Sequence, residues 1–302
     1  MSHTPVLSIL LSSFNYGRFI GDAIKSVLDQ NFDDYELLIV DNASTDDSID
    51  VIKSFNDERI RLIVNPKNLG GHASMEILIN NARGKYLRML CADDKLVPGI
   101  VSEQIQYLER YECVKLVTCD FIVADATLQY RSIYPYYRGF ANGYDVIYSC
   151  LSRMVNDVGS PSCIMFRAED ARKVVIDRSL NIICDVDFCL QLIKNGCYYN
   201  TRSPGVLYRR HESTDTKRVW SMQKEASEWT HLIKKYDIVT FENLILMLFR
   251  YKKYSGIGFM AKWLAGNLLR PRFFIRSIFF MLANCPHNAD SLSVGNSGKL
   301  SA

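Results

Sequence analysis

The chain has 302 residues, 48% of them apolar and 23% charged, with a formal net charge of +3. That length supports a large core and one large or two fused domains, and the balance excludes a mostly disordered or collagen-like chain. A charge this even argues against a nucleic-acid partner.

Val6–Ser12 is a short apolar run that predicts a buried strand. From Ile20 to Gln30 the apolar residues Ile20, Ala23, Ile24, Val27 and Leu28 keep helical spacing. Glu36–Val40 predicts a second strand, ending in Asp41. Ser44–Phe55 predicts a helix capped by Ser44 or Thr45, with Asp46 and Asp47 in its first turn. Ile60–Asn65 predicts a strand, Gly71–Asn81 a helix and Lys85–Leu90 a strand. This alternation predicts an α/β fold whose sheet is mainly parallel and covered by helices on both faces.

Further along, a helix is expected from Pro98 to about Glu109 and a strand over Val114–Val123. Tyr130–Tyr144, rich in tyrosine and glycine, reads as a loop. A helix around Tyr144–Met154 leads to Gly159-Ser160-Pro161-Ser162, a turn by composition. Val186–Lys194 predicts a helix, Gly205-Val206-Leu207 a strand and Arg218–Tyr236 another helix. Asn243–Asn284 predicts basic amphipathic helix, and 286–302 reads as a disordered tail. The chain therefore divides into halves 1–112 and 113–236, an extension 237–285 and a tail 286–302.

In such sheets ligands bind beyond the carboxyl ends of the strands. Three polar clusters fall there: Ser12-Ser13-Phe14-Asn15, Asp41-Asn42 and Asp93-Asp94. Adjacent carboxylates repel unless a cation or donor groups intervene, so Asp93-Asp94 suits Mg2+ or Mn2+. A helix N-terminus would also suit the pair. Asp41 can accept from a base N–H or a ribose hydroxyl, or can close the turn Asp41-Asn42-Ala43-Ser44. No Gly-x-Gly-x-x-Gly follows the first strand and no Gly-x-x-x-x-Gly-Lys-Ser/Thr occurs, which counts against dinucleotide oxidoreductases and P-loop enzymes. Asp185 or Asp187, opening an apolar-periodic stretch, suits a general base or a helix cap. Tyr208-Arg209-Arg210-His211 suits phosphate contact, metal ligation or a solvated basic loop.

Assembled, these segments resemble the family 2 glycosyltransferases, inverting enzymes of GT-A (Rossmann-like) fold, over about residues 5–215. The ordered series carries the resemblance: Val6–Tyr16, Ser26–Phe32, Glu36–Asp46, Asn68–Gly71, Ala82–Tyr86 and Asp93-Asp94. It implies a nucleotide-sugar-binding half over 1–112 and an acceptor-binding half over 113–236. It further implies that Asp41 reads the nucleobase, with Ser12, Ser13 and Asn15 nearby. Asp93 would take the metal-binding end of the family's Asp-x-Asp motif, with Asp94 in support or facing the donor sugar. Cys91 stands at the first motif position, and a neutral thiol is a poor ligand for a hard cation. The implied metal set is then Asp93 and His211, with Arg210 on the diphosphate. Asp185 matches the base, Asp187 is the fallback, and Cys184 replaces the neighbouring Glu. Ser160 and Ser162 match the acceptor loop.

The implied function is sugar transfer from a UDP-, GDP- or dTDP-sugar to a glycan or lipid-linked acceptor. Cell-surface polysaccharide or lipid-linked glycan synthesis is the expected setting. Alternatives are a sugar-phosphate nucleotidyltransferase and, because of Cys91 and Cys184, a non-catalytic glycan-binding or scaffold protein. Seven basic and no acidic residues lie in 243–289, which suits docking on an anionic membrane surface. The nine cysteines, an odd count without a Cys-x-x-Cys pair, suit reduced thiols in a cytoplasmic protein. With no secretory signal and no apolar run of about 18 residues, the expected location is the inner face of the membrane, peripherally bound.

Overall fold

The computed structural model describes residues 3–137, 139–212 and 220–238. The apolar runs read as strands become β1 (Leu7–Ser13), β2 (Tyr35–Asp41), β3 (Ile60–Val64) and β4 (Tyr86–Cys91), all parallel in the order β3-β2-β1-β4. β2 is buried along its whole length, as expected for a strand covered on both faces. β5 (Lys95–Leu96), β6 (Val114–Ala124), β7 (Tyr130–Tyr134), β8 (Gly139–Asn142), β9 (Met165–Arg167) and β10 (Cys197–Arg209) complete one ten-stranded sheet among the described residues. β9 runs antiparallel between β4 and β6, and β10 is parallel to β6. The sheet passes without a break across residue 112, so both halves share it.

Successive β1 side chains enter opposite cores. Ile9 and Leu11 pack with α1 (Gly17–Leu28), α2 (Ser48–Lys53) and α4 (Ile100–Arg110). Leu10 packs with α3 (Gly71–Asn81), α5 (Gly143–Arg153), α7 (Cys184–Ile193) and α8 (Met222–Lys235). The short α6 (Ala168–Ala171) follows β9. In α1 the buried face is Ile20, Ala23, Ile24 and Val27, the expected spacing.

Three elements differ from expectation. α2 begins at Ser48 rather than Ser44, because Ser44, Thr45 and Asp46 spend their hydrogen bonds on the preceding loops. The loop expected over Tyr130–Tyr144 contains β7, β8 and the start of α5. All five β7 residues are exposed, so burial left no alternation to read; pairing with β6 makes the strand. β10 is far longer than Gly205-Val206-Leu207, since Arg202 at φ 64 and the register shifts around Pro204 interrupt its pattern without ending it.

The basic stretch 243–284 and the tail lie outside the described residues. Among the described residues, no helix is long and apolar enough to cross a membrane.

Candidate active site

The site forms where β1, β2, β4 and β10 end. The loops after β1 and β2 are tied to each other. Asn15, at φ 60, accepts from the Thr45 amide at 2.8 Å, and its own amide donates to Ser44 Oγ at 2.9 Å. The Tyr16 amide donates to Ser48 Oγ (3.0 Å) and the Gly17 amide to Asp46 Oδ2 (2.9 Å). A Cβ on Gly17 would overlap the Asp47 carboxylate, so glycine permits this approach. Burial pushes the Asp46 carboxyl up, but hydrogen bonds from Ser48 and Gly17 outweigh it and hold the group below the usual range.

Asp41 is fully buried, and its oxygens accept from the Ser44 amide (2.8 Å) and hydroxyl (2.7 Å). The turn-closing reading therefore describes this conformation, and the carboxylate is enclosed rather than turned toward a ligand. Beside it, Ser12 is half-buried, while the buried Ser13 Oγ has no hydrogen-bond partner. Asn42, where the family usually has Asp, uses both ends of its amide. It donates to Asn68 Oδ1 (2.8 Å) and accepts from Asn65 Nδ2 (3.0 Å) and the Leu69 amide (2.9 Å). A carboxylate could not make the first bond.

Asp93 and Asp94 sit in the turn between β4 and β5, not at a helix start. Asp94 is 1% exposed and accepts from the Arg209 amide (3.0 Å) and Ser162 Oγ (2.5 Å). Burial, then repulsion from Asp93, pushes its carboxyl up to about 8. It is a strut inside the fold, tied to both Ser162 and the Arg209 amide. Asp93 Oδ2 lies 3.0 Å from His211 Nε2, with His211 packed on Phe19 at 4.5 Å between ring centres. The Cys91 sulfur and oxygens of Asp93 and Asp94 all lie within 4.8 Å of one another. Burial, then the charges of Asp94 and Asp93, pushes the Cys91 thiol well up, leaving it neutral. With Cys91 neutral and Asp94 engaged, Asp93 and His211 are the carboxylate–imidazole pair whose chemistry fits Mn2+ or Mg2+.

Arg209, read in the sequence only as one member of the cluster 208–211, is the buried arginine of the pair. It donates to the Asp93 carbonyl (2.9 Å), the Ala126 carbonyl (3.0 Å) and Asp22 Oδ2 (2.6 Å), and lies 4.8 Å over Phe19. Arg210 is exposed at the end of β10. Which of two adjacent arginines turns inward depends on strand pairing, and no local signal distinguishes them.

Asp185 is the second residue of α7, half-buried, with hydrogen bonds from its own amide and that of Val186. Desolvation outweighs these bonds, and Glu228 adds to it, placing the carboxyl at about 6. Its charge is among the smaller influences that raise the Cys91 thiol and the Tyr136 phenol. Asp187 is 2% exposed and accepts from Lys235 Nζ (2.8 and 2.7 Å), Gln191 Nε2 (2.8 Å) and Tyr236 Oη (3.2 Å). The fallback base is corrected to a structural ion pair, since two residues along a helix turn a side chain by about 200°. Cys184, raised to about 12 by burial and then by Asp185, offers no acid–base group in the place of the family's Glu.

Ser160 is half-buried, and its amide donates to Tyr136 Oη at 2.8 Å. Ser162 is fully buried; it donates to Asp94 and accepts from the Cys91 amide at 3.0 Å. Its expected contact with an acceptor is corrected to a tie between the 3-10 turn Pro161–Cys163 and the carboxylate turn. Glu228 of α8 went unnoticed in the sequence. It is 4% exposed and accepts from the amides of Asn181 (2.9 Å), Ile182 (2.8 Å) and Ile183 (3.1 Å).

Comparison with known proteins adds four likenesses. The model of "Glycosyl transferase family 2" matches residues 8–175. The putative glycosyltransferase EpsE of Bacillus subtilis (strain 168) is 26% identical over 225 residues, 71% of this chain and 76% of that protein. The UDP-Glc:alpha-D-GlcNAc-diphosphoundecaprenol beta-1,3-glucosyltransferase WfaP of Escherichia coli is 32% identical over 104 residues, 34% of this chain and 41% of that one. Staphylococcus aureus TarS 1–349, solved in complex with UDP-GlcNAc, superposes with a TM-score of 0.63 at 13% identity, covering 82% of this chain and 74% of that one. The last likeness concerns the fold, which is GT-A.

Proposed function

The chain belongs to glycosyl transferase family 2, and from that premise we propose that it moves a sugar from a nucleotide-diphospho-sugar to an acceptor hydroxyl with inversion. The observation that carries the reading is convergence at one end of the sheet. Asp93 Oδ2 and His211 Nε2 stand 3.0 Å apart, and the Cys91 sulfur and an Asp94 oxygen lie within 4.8 Å of the Asp93 carboxylate. In this reading Asp185 takes the proton from the acceptor hydroxyl, and with its carboxyl at about 6 it is ionised at neutral pH. Asp93 and His211 would hold Mn2+ or Mg2+, which when bound neutralises the donor diphosphate and the nucleotide that leaves. Arg210, exposed at the end of β10, meets the remaining phosphate charge. In this reading the unpartnered Ser13 hydroxyl would serve the nucleoside, and Asp41 would contact the base once the Asp41–Ser44 turn yields.

The names of the relatives guide the substrate class. WfaP is named for UDP-Glc and a diphosphoundecaprenol-linked acceptor, and TarS was solved with UDP-GlcNAc. For this chain the reading is a UDP-, GDP- or dTDP-sugar donor and a glycan or lipid-linked acceptor in polysaccharide synthesis, at an anionic membrane surface.

A thermal-shift panel of UDP-, GDP- and dTDP-sugars with and without Mn2+ tests the site. The expected result is a shift with one nucleotide class, enlarged by Mn2+, with that enlargement lost in Asp93→Ala. An Asp93→Ala protein that keeps the full Mn2+ effect would sink the metal assignment. Nucleotide binding without turnover of any sugar would favour the scaffold reading over catalysis.

A further inference from the structure

We propose that Glu228 is a positioning residue for the reaction, holding the Asp185 carboxylate in place from a helix beyond the family-like stretch. The proposal rests on Asp185 being the base. α8 starts at Met222, after the segment 5–215 that carries the family pattern. Its Glu228 side chain crosses to the approach of α7 and gathers the amides of Asn181, Ile182 and Ile183 at 2.8–3.1 Å. Such charge-assisted bonds are among the stronger ones in proteins. Residues 181–183 belong to no helix or strand, so this anchor sets their course. Ile183 is the cap residue of α7, and Asp185 follows two residues later. Any slack in 181–183 therefore passes directly to the base.

The rest of α8 fixes the anchor. Trp229, Leu232 and Ile233 are buried in the core shared with Val186, Phe188 and Leu190 of α7. Lys235 pairs with Asp187 at 2.7 Å. The titratable groups within electrostatic reach of Asp185 come from several elements: Glu228 of α8, Cys184 and Cys189 of α7, Cys91 of β4, and Tyr136 before β8. Burial keeps the three thiols and the phenol neutral. Glu228, by contrast, raises the Asp185 carboxyl. Its negative charge therefore opposes ionisation of Asp185, and the same side chain that places the base also tunes it.

The test is the pH profile of transfer for wild type, Glu228→Gln, Glu228→Ala and Leu232→Ala, with donor KM measured alongside. Wild type is measured first: absence of transfer there would strike the proposed function and not this residue. Glu228→Gln removes the charge at nearly constant shape, and the acid limb of kcat/KM should move to lower pH. Glu228→Ala frees the loop, and kcat should fall by about tenfold or more at unchanged donor KM. Leu232→Ala weakens the same helix without touching the loop, so it should lower Tm and leave the acid limb in place. The proposal is overturned if the Glu228→Gln limb coincides with that of wild type, or if Leu232→Ala moves it equally. Should Glu228→Ala not fold, the comparison of Glu228→Gln with Leu232→Ala still decides.

Discussion

Asp185 illustrates how much of one residue's behaviour lies outside the sequence. Its position before an apolar helical stretch was legible, and so was its possible role. Its carboxyl at about 6 was not, because that comes from burial and from Glu228, 43 residues away in the chain. A carboxyl raised above its unfolded value adds stability that is fully present below the unfolded value, near about 3.9, and is lost as pH rises through about 6. Transfer, which needs the ionised form, should therefore fall away below about pH 6. Asp185→Asn should lose about 10²-fold to 10⁴-fold in kcat and yet melt higher than wild type at pH 8. A lower Tm at pH 8 would show that the ionised carboxylate is not a burden on the fold. Ala43 makes a second case. It holds φ 63 where the family usually has glycine. Ala43→Gly should stabilise by about 1 kcal/mol in a urea titration; destabilisation would mean the turn depends on the methyl group. Asp93 with His211 could be read from motif order. Asp94 with Ser162, and Arg209 with Asp22, could not, because sequence gives no measure of which oxygen ends up enclosed.

The first half of the molecule was legible as elements because its strands are covered on both faces and read as continuous apolar runs. The second half was less so. β7 is exposed along its length, and β10 passes through Asn200, Thr201, Arg202 and Pro204 without ending. Such strands exist because neighbours accept their hydrogen bonds, which composition does not record. α2 teaches the complementary lesson. Ser44 and Thr45 have cap chemistry, but the nearby β1–α1 loop outcompeted the helix for them. That competition has a test. Gly17→Ala would drive a methyl group into Asp47 and part the two loops. It should cost about 1–3 kcal/mol of stability and weaken nucleotide binding measured by calorimetry. Wild-type affinity in that variant would show that the loop contacts are incidental to the site.

At the scale of the whole molecule, one sheet and two cores serve both halves. β4, the last parallel strand of residues 1–112, is covered along its other edge by β9, whose residues come from 113–236. Leu87 and Phe166 lie in register across that seam and share one core. A fragment of residues 1–112 would expose the β4 edge and strip Leu10, Leu38 and Leu87 of partners from α5, α7 and α8. It should not give the dispersed amide spectrum of a folded protein; a dispersed spectrum would show that the donor half is autonomous.

The Asp94–Ser162 bond gives that seam a practical meaning. The segment around residues 155–167 lies between α5 and α6 and could be exchanged between relatives as a cassette. It carries the Ser162 hydroxyl, which donates to the enclosed Asp94 carboxyl of the β4–β5 turn. A transplanted segment without serine at 162 would strip that carboxyl of one of its two donors and disturb the turn that carries Asp93. Recombination across this fold is thus limited by a single oxygen, and chimeras should be chosen by whether they retain it.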